Sequence, residues 1–338
     1  MSDLTKLNSF GIAADSSSLH VINSVEELQA LIQSEPQSWF ILGGGSNILF
    51  LDEAPEHIVL MNNLGIEYQE QGDSILVTAQ AGVVWHELIQ ATLAKGYSGL
   101  ENMALIPGKV GAAPIQNIGA YGVELQDRFE SLKAMDMETA EVVDFNKEQC
   151  LFGYRDSFFK TEEGRKYCIL EVTLKLDKVF ELVMGHQGLL SITENPEAIT
   201  AQQVFDMVCD IRRSKLPDPE LLGNAGSFFK NPVIDGEQYR KLLAVAPSVV
   251  AYPQFGKRWK LAAAWLIDNA GLKGYRDGNV GVHEKQALVL VNHGGATGKA
   301  VANLAKYVQS QVFDKYGVLL EPEVTLLSQS GPVKLGDI

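Results

Sequence analysis

Cysteine is scarce: Cys150, Cys168 and Cys209 are the only three in 338 residues, an odd number set far apart. That spacing assembles neither a disulfide framework nor a zinc site, so the three read as core residues and no metal is expected. Basic residues are also in short supply, 28 Lys and Arg against 42 Asp and Glu, for a net charge of -14. So acidic a chain lacks the basic stripe that nucleic acid or an anionic membrane requires, and an anionic substrate would need a local basic pocket. No apolar run approaches the ~18 residues of a membrane span, and Met1 to Phe10 has no hydrophobic signal core. Neither a membrane span nor secretion is expected, and the chain reads as cytoplasmic. What is present, 46% hydrophobic residues with a mean hydropathy of zero, is expected of a soluble globular protein with material for two or three domains.

The common nucleotide signatures are missing too. In Trp39 to Phe50, W-F-I-L-G-G-G-S-N-I-L-F, Ile48 stands where G-x-G-x-x-G needs its last glycine, and no Gly-Lys-Ser/Thr follows. Gly43, Gly44 and Gly45 nevertheless let backbone N–H groups converge on an anion, with Ser46 and Asn47 beside them. A plain tight turn fits the same five residues. Ile48 to Leu51 reads as a second apolar strand rather than a helix.

Along the chain, Leu19 to Ile22 is a strand and Ser24-Val25-Glu26-Glu27 a capping box opening a helix with Leu28, Leu31 and Ile32 on one face. His57 to Met61 is a strand, and a first small α/β unit closes near residue 66. A second begins with Ile75 to Ala79 and a helix carrying Trp85, Leu88, Ile89 and Leu93, stopped by Gly96. Gly99 to Gln126 has neither helical nor alternating period, and a structureless loop of that length reads either as a segment wrapped on a ligand or as an inert surface crossing, the second disfavoured by its low charge and its Ile, Val and Ala content. Leu132 to Met137, Val142 to Phe145 and Tyr167 to Leu176 read as antiparallel strands. Thr200 caps a helix bearing Val204, Phe205, Val208 and Ile211, which ends at Lys215-Leu216-Pro217-Asp218-Pro219. Later helices are expected near Gly236 to Val245, at Lys260 to Ala270 and at Lys299 to Tyr316, with strands at Gln286 to Val291 and Val318 to Leu327.

Three further segments have a bland reading and a chemical one. Arg155, in Phe152-Gly153-Tyr154-Arg155-Asp156-Ser157, is either half of a surface ion pair with Asp156 or an anion ligand. Ser227, in Gly223-Asn224-Ala225-Gly226-Ser227-Phe228-Phe229-Lys230-Asn231-Pro232, is either a turn former or a hydroxyl presented beside an apolar wall. Glu323, after Pro322, is either an exposed edge carboxylate or a site residue.

Taken together, G-G-G-S-N at 43–47, I-P-G-K-V-G-A-A-P-I-Q-N-I-G-A-Y-G at 106–122, G-Y-R-D-S at 153–157, G-N-A-G-S-F-F-K-N-P at 223–232 and E-P-E-V at 321–324 resemble the UDP-N-acetylenolpyruvoylglucosamine reductase family. The likeness runs nearly end to end, Asn8-Ser9-Phe10-Gly11-Ile12 included, and the insertion after the Tyr167 strand resembles the larger of the family's two forms. The resemblance implies a mixed α+β and α/β fold: a FAD-binding region of two subdomains (1–66 and 67–214, a PCMH-type flavin fold), an α+β substrate-binding domain (219–318) and a C-terminal return (319–338). It implies an NADPH-dependent flavoprotein of peptidoglycan synthesis, and so of cell wall biogenesis, cell shape, cell cycle and cell division, with non-covalent FAD and an expected monomeric state.

By the same resemblance, Arg155, Ser227 and Glu323 match the family's catalytic arginine, proton donor and glutamate. Gly43, Gly44, Gly45, Ser46 and Asn47 would face the FAD diphosphate, and Ile115, Gln116, Asn117, Gly119, Ala120, Tyr121 and Gly122 would wrap the flavin. Asn47 and Tyr121 also fall near the reacting part of the substrate, and Lys215, Asn231, Tyr252, Lys273 and Gln286 match positions used for its diphosphate and uridine end. The larger form carries a tyrosine in the insertion over the substrate; Val183-Met184-Gly185-His186-Gln187-Gly188 has none, and His186 is the expected equivalent. Two other functions compete: a flavin oxidase or dehydrogenase acting on another small acid, against which the 223–232 segment speaks, and a non-catalytic flavin- or nucleotide-binding protein, which would have no use for Arg155, Ser227 and Glu323 together.

Overall fold

The computed structural model describes residues 1–34, 38–51, 53–183 and 198–338. Residue contacts gather the chain into two compact units, one of Ser18–Gly44 with His57–Ser214, the other of Met1–Ser17, Gly45–Glu56 and Lys215–Ile338.

In the first unit, the apolar runs Phe40–Leu42 and His57–Met61 join Ser18–Ile22 in a three-stranded parallel sheet with His57–Met61 at its centre. The helix Val25–Ser34 buries Leu28 and Ile32 in a core with Val59, Met61 and Leu170. Its cap differs from the expected box: Ser24 Oγ accepts from Glu27 N–H at 3.2 Å, but the Glu27 carboxylate reaches back one residue further, to Asn23 N–H at 2.7 Å. Tyr167–Asp177 is the middle strand of a five-stranded antiparallel sheet, paired with Phe129–Asp136 and Ser74–Gln80. Val172, Leu174 and Leu176 pack there with Trp85, Leu88 and Ile89 of the helix Trp85–Ala94. The edge strand Ile66–Gln71 has no clear signal in the sequence, because I-E-Y-Q-E-Q is polar at most positions and its partner Ser74–Gln80 supplies the order. All three cysteines are buried, and burial pushes the Cys150 and Cys168 thiols up to about 12, as for inert core residues.

The second unit completes a sheet from distant pieces: Ile48–Phe50 pairs parallel with Thr325–Ser328, which pairs antiparallel with Gly331–Val333. The strand expected over Val318 to Leu327 starts only at Thr325; before it, Pro322 makes a single bridge to Phe229, since proline has no N–H to extend a ladder. The helix expected from Lys260 starts at Ala263, because Arg258–Leu261 is the central strand between Val233–Asp235 and Ala251–Gln254, with Trp259 stacked on Tyr239 at 4.1 Å. The long helix Gly298–Tyr316 is capped by Thr297, whose side chain accepts from Ala300 N–H, and closed by Gly317 at φ 65. Val301, Leu304, Ala305, Val308 and Val312 give it a buried stripe in a core shared with Leu49, Phe228 and Leu326.

Gly298 enters that helix against bare backbone: a Cβ there would lie 1.7 Å from the Phe50 carbonyl oxygen. Gly298→Ala is therefore expected to destabilise the protein by about 3 kcal/mol or more, since the obstacle is backbone and cannot rotate away. Gly336, with nothing within 4 Å of a built Cβ, is the control, and Gly336→Ala is expected within about 0.5 kcal/mol of wild type in the same thermal melts.

Candidate active site

The five-residue loop singled out in the sequence carries the chain out of the parallel sheet and, between Gly44 and Gly45, from one unit to the other. Each glycine meets close backbone or a methyl group. A Cβ on Gly43 would stand 3.2 Å from the Ala112 Cβ, and one on Gly44 would stand 3.0 Å from the Gly108 Cα. Gly45 adopts φ 63, and a Cβ there would lie 1.9 Å from the Leu7 carbonyl oxygen. Gly43 and Gly44 thus interlock with the 106–122 segment without intervening side chains.

That segment is not structureless. It holds short 3-10 turns at Glu101–Met103, Val110–Ala112, Pro114–Gln116 and Leu125–Asp127, and a two-residue hairpin in which Ala120 pairs with Val123. Tyr121 and Gly122 form the hairpin turn with φ 50 and 86, the doubly left-handed geometry that suits tight hairpins. Asn117, fully buried at φ 44, holds the coil together. Its amide donates to Glu124 at 2.9 Å and to the Gly153 carbonyl at 3.1 Å, and its Oδ1 accepts from Gln126 N–H at 3.0 Å. Ser157 Oγ donates to the Ile115 carbonyl at 2.6 Å, so the G-Y-R-D-S turn and the 115–122 segment are fastened at two points.

Between these fastenings sits Arg155, itself left-handed at φ 53. Its guanidinium donates to the carbonyls of Gly119 at 2.6 Å and Asn117 at 3.5 Å, and the Lys160 amine donates to its own carbonyl at 2.7 Å. A bulky residue is held in this region of backbone space only where its surroundings over-determine it, as happens at functional sites. Burial raises the Tyr121 phenol above its ordinary range, with the nearby Arg212 charge opposing.

Arg212 is absent from the expected site residues. It lies on the helix Ala201–Lys215 one helical repeat beyond the buried pair Val204 and Val208, and a charged residue on a buried stripe was the signal available in the sequence. Burial is the leading cause that lowers its pKa, Arg155 adding to it and Tyr121 opposing. Its Nε is buried without a hydrogen-bond partner among the described residues.

In the second unit the structure brings Ser227, Glu323 and Asn47 into one knot. Glu323 N–H donates to the Phe228 carbonyl at 2.7 Å, Lys230 N–H to the Glu321 carbonyl at 2.9 Å, and Asn47 Nδ2 to the Glu323 carbonyl at 3.1 Å. The strand Gly223–Ser227 slips register between Asn224 and Ser227, and Gly226 turns at φ 67. Asn224 Oδ1 closes this bulge by accepting from Gly226 N–H at 2.9 Å, so the turn does not rely on the Ser227 hydroxyl. Ser227 and Glu323 are both half-buried, beside the buried Phe228 and Phe229.

The remaining expected residues are more scattered. Asn231 Oδ1 accepts from Ala263 N–H at 2.9 Å and so starts the helix Ala263–Asn269. Lys215 ends its helix exposed, Tyr252 stands half exposed opposite Lys260, and Lys273 is ion-paired with Asp268. Gln286 turns the chain into the strand Val289–Asn292, its carbonyl accepting from Val289 N–H at 3.0 Å. His186 lies outside the described residues. Among the described residues no cluster of His, Cys, Asp or Glu is arranged for a metal, and no helix is long and apolar enough to cross a membrane. Close glycine backbone, the unpaired buried Arg212 Nε and the Tyr121 ring are a donor-rich set that fits a flavin with its diphosphate.

Comparison with known proteins bears on the same residues. A family model described as a FAD binding domain matches residues 19–146, and one described as UDP-N-acetylenolpyruvoylglucosamine reductase, C-terminal domain, matches 218–327. The chain is 44% identical over 331 residues to the UDP-N-acetylenolpyruvoylglucosamine reductase of Shewanella baltica (strain OS195), covering 97% of this chain and 96% of that one. It is 48% identical over 306 residues to the enzyme of the same name from Pseudomonas aeruginosa, covering 89% and 90%. The crystal structure of UDP-N-acetylenolpyruvylglucosamine reductase from Thermus caldophilus shares the fold, with a TM-score of 0.68 at 24% identity over 96% of this chain and 97% of that one.

Asn117 gives the arrangement a direct test. Asn117→Gly keeps the left-handed backbone and loses the amide bonds; Asn117→Ala loses both. Both are expected to cost about 2–4 kcal/mol in denaturant titrations, with the alanine variant the worse. A glycine variant as stable as wild type would show that the amide bonds do not hold the coil.

Proposed function

The chain belongs to the UDP-N-acetylenolpyruvoylglucosamine reductase family, and from that premise we propose how its own residues divide the reaction. The reaction reduces the enolpyruvyl group of UDP-N-acetylglucosamine enolpyruvate to give UDP-N-acetylmuramate in peptidoglycan precursor synthesis, with FAD as cofactor and NADPH as hydride donor. FAD, which the Gly43–Gly45 loop and the 115–122 segment would hold, would supply two-electron chemistry between NADPH and the methylene carbon of the enolpyruvyl ether. Negative charge then develops on the adjacent carbon and its carboxylate. Arg155, its guanidinium already oriented by two backbone carbonyls, holds that carboxylate and the enolate charge. Ser227 donates the proton that completes the reduction at the adjacent carbon; a serine is acidic enough for this only because a carboxylate-derived enolate is strongly basic and held in contact. Glu323 acts protonated or sharing a proton, since a bare carboxylate would oppose the enolate.

The observation that carries this reading is the Glu323 N–H bond to the Phe228 carbonyl, which fixes the glutamate next to the residue that follows Ser227. Lys215, Asn231, Tyr252, Lys273 and Gln286 serve the diphosphate and uridine end, where the lysines supply positive field that an acidic protein otherwise lacks. The unit of Ser18–Gly44 with His57–Ser214 is read as the main FAD-binding part. The protein is read as a cytoplasmic monomer.

Two variants test the division of labour. Ser227→Ala is expected to bind FAD and let NADPH bleach the flavin absorbance at a near-normal rate, while recovery of absorbance on adding the enolpyruvyl sugar nucleotide slows about 10²- to 10⁴-fold. Equal slowing of both phases in anaerobic stopped-flow, or none in the second, would remove Ser227 from the mechanism. Lys215→Ala is expected to raise KM about tenfold with kcat changed little, the pattern of a lost uniform binding contact. A collapsed kcat at normal KM in steady-state assays would instead place Lys215 at the chemical centre.

A further inference from the structure

Lys109 stands within the 106–122 segment, in I-P-G-K-V-G, and neither the reaction nor the expected site residues use it. Its backbone bridges Val84 and lies beside Gly44, where a built Cβ would be 3.6 Å from the Lys109 nitrogen. Its side chain crosses to the parallel sheet, and the amine donates to the Met61 carbonyl at 2.7 Å. Met61 ends the central strand of that sheet. Leu42 pairs with Leu60 in the neighbouring strand, so Gly43 leaves the sheet level with Met61. The amine thus stands at the carboxyl ends of parallel strands, beside the emerging glycine loop, where open α/β sheets receive phosphate-bearing ligands.

The amine is half-buried and incompletely partnered. One of its three N–H groups is taken by a neutral carbonyl, and among the described residues no carboxylate pairs with it. Burial alone lowers its pKa, with no charged group contributing. Partial burial makes an ammonium without a counter-ion less stable than one that an anion completes. Resting on the FAD reading above, we propose that Lys109 is the counter-ion of the FAD diphosphate, binding it through the amine at the edge of the Gly43–Gly44 loop. Glycine backbone donates N–H groups to a diphosphate but carries no net charge; Lys109 adds the full positive charge in a protein whose net charge is -14.

The test is equilibrium binding of FAD to the deflavinated full-length protein, read by quenching of FAD fluorescence at low and high salt, for wild type, Lys109→Met and Lys109→Arg. The methionine variant is expected to bind FAD about 10- to 100-fold more weakly and to lose most of the salt dependence, while arginine restores both. The melting temperature of the deflavinated methionine variant is expected to equal or exceed that of deflavinated wild type, because an unpaired buried charge is gone. If Lys109 instead only braces the Met61 carbonyl, that melting temperature falls and arginine does not restore affinity, which overturns the proposal. An unchanged FAD affinity with a raised KM for the sugar nucleotide or NADPH also overturns it, by moving the lysine to another phosphate. Wild type that binds no FAD at all would remove the flavin reading itself, an outcome distinct from equal binding by wild type and variant.

Discussion

A buried backbone amide or carbonyl outside regular structure must find a partner, and repeatedly in this protein an asparagine side chain supplies it. The buried polar residues include Asn8, Asn63, Asn102, Asn117, Asn224 and Asn292, and each bonds to main chain. An asparagine amide offers donor and acceptor on one short stem, so it can mimic a peptide unit where the chain has none to offer. In the first unit, Asn117 ties the turn containing Arg155 to the coil of residues 115–122. In the second, Asn8 bonds to the carbonyls of Leu4 and Ile12 and accepts from Ile12 N–H, and Asn292 reaches the Phe10 carbonyl at 2.9 Å. The Asn8 to Ile12 loop is thereby held where Ser9 N–H meets the Gly45 carbonyl and Asn224 N–H meets the Ser9 carbonyl.

The consequence is that Arg155 is fixed outside any helix or strand and Ser227 at the irregular end of one. Arg155 is held in a left-handed backbone and Ser227 follows a bulge, conformations that regular elements do not provide. Beside Ser227 the aromatic residues close the core of the second unit: Phe10 packs edge-on against Phe228, and Phe228 against Phe229. Such packing fixes the serine-bearing strand from its apolar side while the asparagines fix its polar side.

Much of this was legible from the sequence, for uneven reasons. Contiguous motifs and strong periodicity were read directly: the Tyr167 strand alternates, the Gly298–Tyr316 helix has its stripe and its closing glycine, and the five motifs that carry the family resemblance name Arg155, Ser227 and Glu323. Ile66–Gln71 was not readable, because an edge strand takes its order from its neighbour rather than from its own pattern. Lys260 and Leu261, the end of the strand Arg258–Leu261, read as the start of a helix because two residues carry no period of their own. Arg212 and Lys109 escaped notice for a shared reason. A cation in a sequence looks like a surface residue, and only burial without a carboxylate nearby distinguishes it.

The parallel pairing of Ile48–Phe50 with Thr325–Ser328 has a consequence for the order of events at the ribosome. Everything needed by the unit of Ser18–Gly44 with His57–Ser214 has been synthesised by residue 214, so that unit can fold while the rest of the chain is still emerging. The strand Ile48–Phe50 cannot: its partner Thr325–Ser328 is made long after it, and until then an apolar edge made early waits unpaired. In the interval between the two the nascent chain is open to pairing with another copy, and any slowing of translation between these two strands prolongs it.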